Sequence, residues 1–349
     1  MFIDNIFSYL LTKNNIFAVN KKSKQLIVVS PNNKDNSVFE LLFSPTYLYE
    51  TFDKSVLIVD DVNRLSCIYK DWGFTNITTN MRLIIQKQDN NFFVYYTREN
   101  GVKSIGIFDY RHNKVLWEKE LSTALQIVDN FVLNLTLTLN RYDLENGNLL
   151  WQFSVSDFPS YKNYCGEEIK AEIRQIIGVY NNILWLYISV SHLVGIDVET
   201  GEKVYHIDDI TDFLGLKEKE AGDFIGLDCH LDEQNGVIKA FAYRYYFEID
   251  LNALQGKIKK DFGEDFQSSW RIRCGRYYPN DKNLYFVGAR RGEAVNRAVG
   301  IFDTESCEVI WYDEPLEEKK FLFFTDAPQA NEKYLGVLDS ENNLRIYEQ

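Results

Sequence analysis

The chain has 349 residues, 45% of them hydrophobic, enough apolar material for a sizeable core, and this excludes disorder as its main state. Its 51 Asp and Glu against 38 Lys and Arg give a net charge of −13, the wrong long-range sign for a phosphate backbone, so no nucleic-acid partner is expected. Aromatic residues make up 15%, with 22 Tyr and 24 Phe against 6 Pro, a balance that favours strands over a helical bundle.

In chain order, the opening MFIDNIFSYLLTKNNIF carries no basic n-region and no small-residue cleavage site, and Asp4, Asn5 and Lys13 interrupt it before an apolar run forms. No stretch approaches the roughly 18 uncharged apolar residues of a membrane helix. Cys67, Cys165, Cys229, Cys274 and Cys307 are odd in number and widely spaced, with no C-x-x-C, which suits a reducing compartment. Together these features predict a soluble, cytoplasmic protein with no membrane partner.

From Ala18 onward a hairpin pattern recurs: an apolar strand ending in Asp or Asn, a polar turn, then a second strand. AVNKKSKQLIV, with Asn20 for the Asp, is a weak copy, and CIYKDWGFTNI from Cys67 is weaker still. The clear copies are IFDYRHNKVLW, RYDLENGNLLW, GIDVETGEKVY and IFDTESCEVIW. In each, an aromatic lies eight residues after the Asp, pairing Asp109 with Trp117, Asp143 with Trp151, Asp197 with Tyr205 and Asp303 with Trp311. An Asp side chain accepts from backbone N–H groups just downstream, and a residue at positive φ reverses the chain. Gly147, Gly201 and Asn113 fill that reversing position, whereas Cys307 there predicts a turn of different shape. EIDLNALQGKIKK from Glu248 reads as a copy with a turn two residues longer.

Another strand pair precedes most of these hairpins, as in NNILWLYISVSHLVGID, so each repeat holds four short strands. Such sheets cover their faces by stacking on one another, which predicts an all-β chain forming one β-propeller domain over residues 1–349. Third strands ending near Asn20, Lys70, Asp109, Asp143, Asp197, Asp250 and Asp303, with a last one in NLRIYEQ, favour eight blades, and seven is the alternative. Closure would set YLGVLDS and NLRIYEQ against FSYLLTKNNIFAVN.

The segment DLENGNLLW, Asp143 to Trp151, resembles the PQQ-like repeat of quinoprotein-type propellers, D-x-x-T-G-x-x-x-W, except for Asn146 in place of Thr. DVETGEKVY keeps the Thr-Gly and replaces Trp with Tyr205. The resemblance implies a propeller fold, WD40-like in the broad sense, with Trp117, Trp151, Tyr205 and Trp311 packed between neighbouring blades. It does not imply the activity: the adjacent Cys pair often found near the quinone in that family's enzymes is missing, and no cofactor is expected.

A Gly-rich phosphate loop, G-x-S-x-G and H-E-x-x-H are all missing, and the four His are at 112, 192, 206 and 230. An enzyme is therefore not the leading expectation. In GLDCHLDE, Asp228, His230 and Asp232 alternate, so a strand projects all three from one face, as a divalent-ion site or as an ordinary solvated side. In SWRIRCGRYY, Trp270, Arg271 and Arg273 stand one blade later, and Arg174 holds the corresponding place in AEIRQIIGVY. On innermost strands these acidic and basic rows read either as a salt-bridged wall or as an anion pocket. Longer loops follow at residues 156–173 and 206–224, the latter with a candidate short helix in TDFLGLKEKEAG. The leading expectation is a non-catalytic interaction scaffold that binds another protein through rim loops or one ring face. The alternative is small-molecule, anion or metal binding, possibly enzymatic, in a central channel.

Overall fold

A computed structural model describes residues 1–30, 37–51, 53–60, 62–63, 65–77, 82–84, 92–99, 102–120, 125–128, 131–135, 138–162, 166–189, 191–216, 228–242, 245–262, 271–279, 282–289, 295–315 and 322–349. Side chains of 82–84, 97–99, 102–103, 134–135, 162, 228, 242 and 271–279 lie outside this description. Among the described residues the strands form eight four-stranded antiparallel sheets and a small two-stranded ribbon, Tyr161–Lys162 with Glu168–Ile169. The fold is an eight-bladed β-propeller, and the helix Ile210–Phe213 spans four residues.

Strands alternate as their burial requires. In blade 1 the strands are Ser8–Leu11, Ile16–Asn20, Gln25–Val29 and Ser37–Glu40; in blade 2 they are Tyr47–Glu50, Val56–Asp60, Leu65–Lys70 and Gly73–Ile77. Central strands such as Ile16–Asn20 are almost wholly buried, while outer strands such as Ser37–Glu40 alternate half-buried and exposed. Blades 3 and 4 begin at Arg82 and Leu125, and blades 5, 6 and 7 at Ile173, Asp228 and Arg271. Blade 8 is assembled from both ends of the sequence: Gln329–Ala330, Tyr334–Leu338 and Leu344–Glu348, with Phe2–Ile3 as its outermost strand.

By its contacts the chain divides into two compact units, Met1–Trp151 with Gln329–Gln349, and Gln152–Pro328. In the first, Ile6, Tyr9, Leu11, Ile16 and Ala18 share a core with Leu338, Leu344 and Ile346. Gln329 adds a side-chain clamp: its Oε1 accepts from the Leu11 N–H at 2.9 Å and its Nε2 donates to the Tyr9 carbonyl at 3.1 Å. The second unit repeats the device between the first strands of blades 5 and 6. Gln175 Nε2 donates to the Cys229 carbonyl at 2.7 Å, and Gln175 Oε1 accepts from the Cys229 N–H at 2.8 Å. Each glutamine satisfies backbone groups of a neighbouring sheet that no ladder reaches.

The repeat chemistry is visible atom by atom. Asp143 accepts from the N–H groups of Glu145 and Asn146, both at 2.9 Å, and Asp197 from Glu199 and Thr200 at the same distance. Asp109 and Asp303 bond the equivalent positions. Gly147, Gly201 and Asn113 all hold positive φ. Trp117 and Trp151 are buried, and Tyr205 and Trp311 partly so.

Three expectations need correction. Cys307 adopts φ 57°, so its turn keeps the common left-handed shape. The turn after Asp250 is no longer than the others: Asp250 pairs with Gln255 as Asp303 pairs with Glu308, and Leu254 takes the left-handed position at φ 48°. Asn20 ends the second strand of its blade rather than the third, because an Asx turn serves the preceding hairpin there, with Oδ1 accepting from Lys22 and Ser23.

Candidate functional site

Asp228–Asp232, Arg271–Pro279 and Ile173–Tyr180 are the first strands of blades 6, 7 and 5. Alternation turns Cys229 and Leu231 into the core, with His230 and Asp232 on the other face. Asp232 is occupied on every side. It accepts from the Asn235 backbone at 3.2 Å and side chain at 3.0 Å, and it pairs with Lys239 Nζ at 2.9 Å, both side chains largely buried. Burial pushes its pKa up, but Asn235 and Lys239 together hold it below the usual carboxylate value. Among the described residues the ion-pair partner of Asp232 is thus on its own sheet.

Arg174 falls where the register of its strand breaks between Ile173 and Gln175, and it points to the surface. Its guanidinium is held by Glu172 at 2.7 Å and donates to the Tyr161 hydroxyl at 2.6 Å. In the backbone ladder Arg271 pairs with Ala289, and Arg273 lies inside a register shift between Ile272 and Tyr277. Their side chains, that of Asp228 and all of Trp270 lie outside the described residues.

A different surface is assembled in blades 1 and 2. Tyr69 pairs with Phe74 and Lys70 with Gly73, leaving Asp71 and Trp72 as a two-residue hairpin loop with φ 47° and 64°. This is the φ signature of a type I′ turn, a geometry that favours Asn-Gly. A bulky residue at positive φ is strained. The strain holds an indole that is 61% exposed over Phe39 and Tyr69, at centroid distances of 6.2 and 6.5 Å. Phe74 joins them at 5.8 Å from Phe39 and 5.2 Å from Tyr69. An adjoining cavity of about 290 Å³ is lined by Phe17, Tyr69 and Trp72 together with Asp53 and Lys70. Burial raises the Asp53 pKa, but bonds from Thr51 and Lys70 outweigh it and hold this carboxyl well below the ordinary range. Asp53 and Lys70 close the rim as an ion pair at 2.9 Å.

Sequence reasoning took CIYKDWGFTNI as a faint repeat copy. The signal it passed over was a Trp standing where a tight hairpin asks for Gly. His192, His206 and Asp208, which the folded chain brings together in blade 5, were equally unmarked, because their contact depends on the pairing of two strands.

No family model and no curated protein matches the sequence. Solved structures do match in shape. The computationally designed Ika8 protein has 10% identity and a TM-score of 0.60 over 99% of this chain and 96% of its own. Sqt1 of Saccharomyces cerevisiae has 9% identity and a TM-score of 0.58 over the same shares. BamB of Moraxella catarrhalis, a PQQ-like propeller, has 13% identity and a TM-score of 0.52 over 84% of this chain and 82% of that one. At these identities the likeness is one of fold, and it supports a fold-level resemblance to the PQQ-like propellers. No helix of the described residues is long and apolar enough to cross a membrane.

Proposed function

We propose that this propeller is a protein-interaction scaffold of the cytoplasm, and that it docks a basic protein partner through the aromatic face around Trp72. The observation that carries the reading is the Trp72 indole, kept exposed by a strained turn at the centre of an apolar cluster. Tryptophan and tyrosine anchors surrounded by a polar rim are the usual energetic centres of protein interfaces. Two considerations choose the partner. A net charge of −13 attracts a basic protein and speeds its approach, and Asp71 and Asp53 stand beside the aromatic rings, so an apolar contact is flanked by acidic groups. Cys67, Cys229 and Cys307 are buried as thiols rather than disulfides, which suits the reducing compartment named here, and the Cys67 thiol is pushed up to about 12 by burial, which makes it inert.

Photo-cross-linking tests the proposal. A benzophenone amino acid replaces Phe74 in one variant and the exposed Leu149 in another, and both are irradiated in the native cells. The reading requires a basic protein captured from position 74 but not from 149, lost when Trp72→Ala is added, and reduced by salt. Equal capture at the two positions, or capture indifferent to Trp72→Ala, overturns it.

A further inference from the structure

We propose that His192, His206 and Asp208 form a binding site for a divalent transition metal of the zinc class on the outer side of blade 5. His192 opens the third strand of the blade, His192–Asp197, and His206 lies on its fourth, Lys203–Ile207. In the ladder between them Val194 pairs with His206 and Leu193 with Ile207, so the two imidazoles are near neighbours across the strands. Asp208 follows immediately where the chain leaves the sheet for the helix Ile210–Phe213. One ligand atom from each of the three residues lies within 4.8 Å of the others. His206 Nε2 and an Asp208 oxygen are already 3.1 Å apart, and the imidazole centroids 5.5 Å. Tetrahedral zinc at about 2.0–2.2 Å from N and O donors sets them about 3.4 Å apart, so small side-chain rotations complete the set.

An independent observation points to a ligand. His192 is only 6% exposed, yet neither Nδ1 nor Nε2 has a hydrogen-bond partner among the described residues. A neutral imidazole carries one donor and one acceptor, and burying both unpaired is costly. A metal ion beside His206 gives the buried lone pair its partner.

The surroundings fit the reading. The Phe158 ring stands edge-on to both imidazoles at 5.2 and 5.1 Å and limits their freedom. Asp209 is committed to capping the helix through Thr211, which leaves Asp208, 86% exposed at its side chain, as the carboxylate able to swing inward. Beyond it opens a cavity of about 500 Å³ lined by His206, Asp208, Asp212 and Phe213, giving the ion an entry path and room for a water in the fourth position. Two imidazoles and one carboxylate favour zinc or a similar ion over magnesium or calcium, which prefer all-oxygen sets. Lys203 opposes the ion: its Nζ lies 3.3 Å from His206 Nδ1, donates to it, and so places the ring proton on the nitrogen that faces Asp208. Metal binding at that nitrogen moves the proton to Nδ1 and releases the lysine.

Isothermal titration of the metal-stripped protein with Zn²⁺, together with Co²⁺ absorption as a geometry probe, tests the site. The proposal requires one equivalent of tight Zn²⁺ binding, a visible four-coordinate Co²⁺ band without thiolate charge transfer, and no comparable binding of Mg²⁺. His206→Gln and Asp208→Asn, both at accessible positions, are expected to weaken Zn²⁺ by at least about 10-fold, Lys203→Gln to tighten it, and His112→Gln to leave it unchanged. Zn²⁺ binding that survives both His206→Gln and Asp208→Asn, or that falls with His112→Gln, overturns the site.

Discussion

The Trp117 ring lies directly on Gly147. A Cβ placed on that glycine would sit 2.6 Å from the indole, and the same ring donates through Nε1 to the Leu144 carbonyl at 2.9 Å. The aromatic on the last strand of one blade thus packs on the glycine of the last turn of the next, so Gly147 serves both backbone reversal and inter-blade contact.

Substituting this glycine should separate the two roles. Gly147→Ala is expected to cost about 3 kcal/mol, combining the left-handed penalty of ~1–2 kcal/mol with overpacking against the indole. Gly166 also holds positive φ, at 80°, but has nothing within 4 Å of the added carbon. Gly166→Ala should cost only about 1 kcal/mol. Denaturant midpoints of the two variants measure the difference, and equal values would remove the packing role.

The buried pair of Asp232 and Lys239 predicts a coupled response. Lys239→Met should cost about 3 kcal/mol, because it leaves a carboxylate buried without its partner, and adding Asp232→Asn should recover part of that loss. Asp232 titrates below its unfolded value of about 3.9, so its contribution is complete above that pH and is lost as pH falls through the folded value. Wild type should therefore lose stability in this acid range faster than Asp232→Asn. Parallel acid limbs in urea titrations would contradict the assignment.

Opposite effects are expected from two tryptophans. Trp151 is buried, and Trp151→Ala should destabilise by about 3–5 kcal/mol. Trp72 is exposed at positive φ, so Trp72→Gly should leave the protein at least as stable, relieving strain of about 1 kcal/mol. A residue that costs stability where it stands is the mark of a site kept for binding. Thermal melts that show equal destabilisation in both variants would make Trp72 a structural residue.

The blades were legible because their chemistry is local. Asp143 and Asp197 announce a turn, Gly147 and Gly201 reverse it, and the aromatic eight residues on packs beside it. The same locality misplaced Asn20: Asx turns also close the second strands at Asp60 and Asp339 and the first at Asp232, so an isolated turn does not identify its hairpin. Leu254 and Cys307 hid their turns because hairpin register can impose positive φ on residues that do not prefer it. The candidate sites depend on contacts that spacing does not encode. Lys239 reaches Asp232 across a ladder, His192 meets His206 the same way, and Phe39 reaches Trp72 from another blade.

The most direct test of the proposed function is the affinity of the protein cross-linked at position 74 for the purified wild type and for Trp72→Gly. Loss of a central aromatic anchor should cost at least about 2 kcal/mol of binding, a weakening of roughly 30-fold, with no loss of folding stability. An unchanged dissociation constant in a stably folded Trp72→Gly variant would contradict the account.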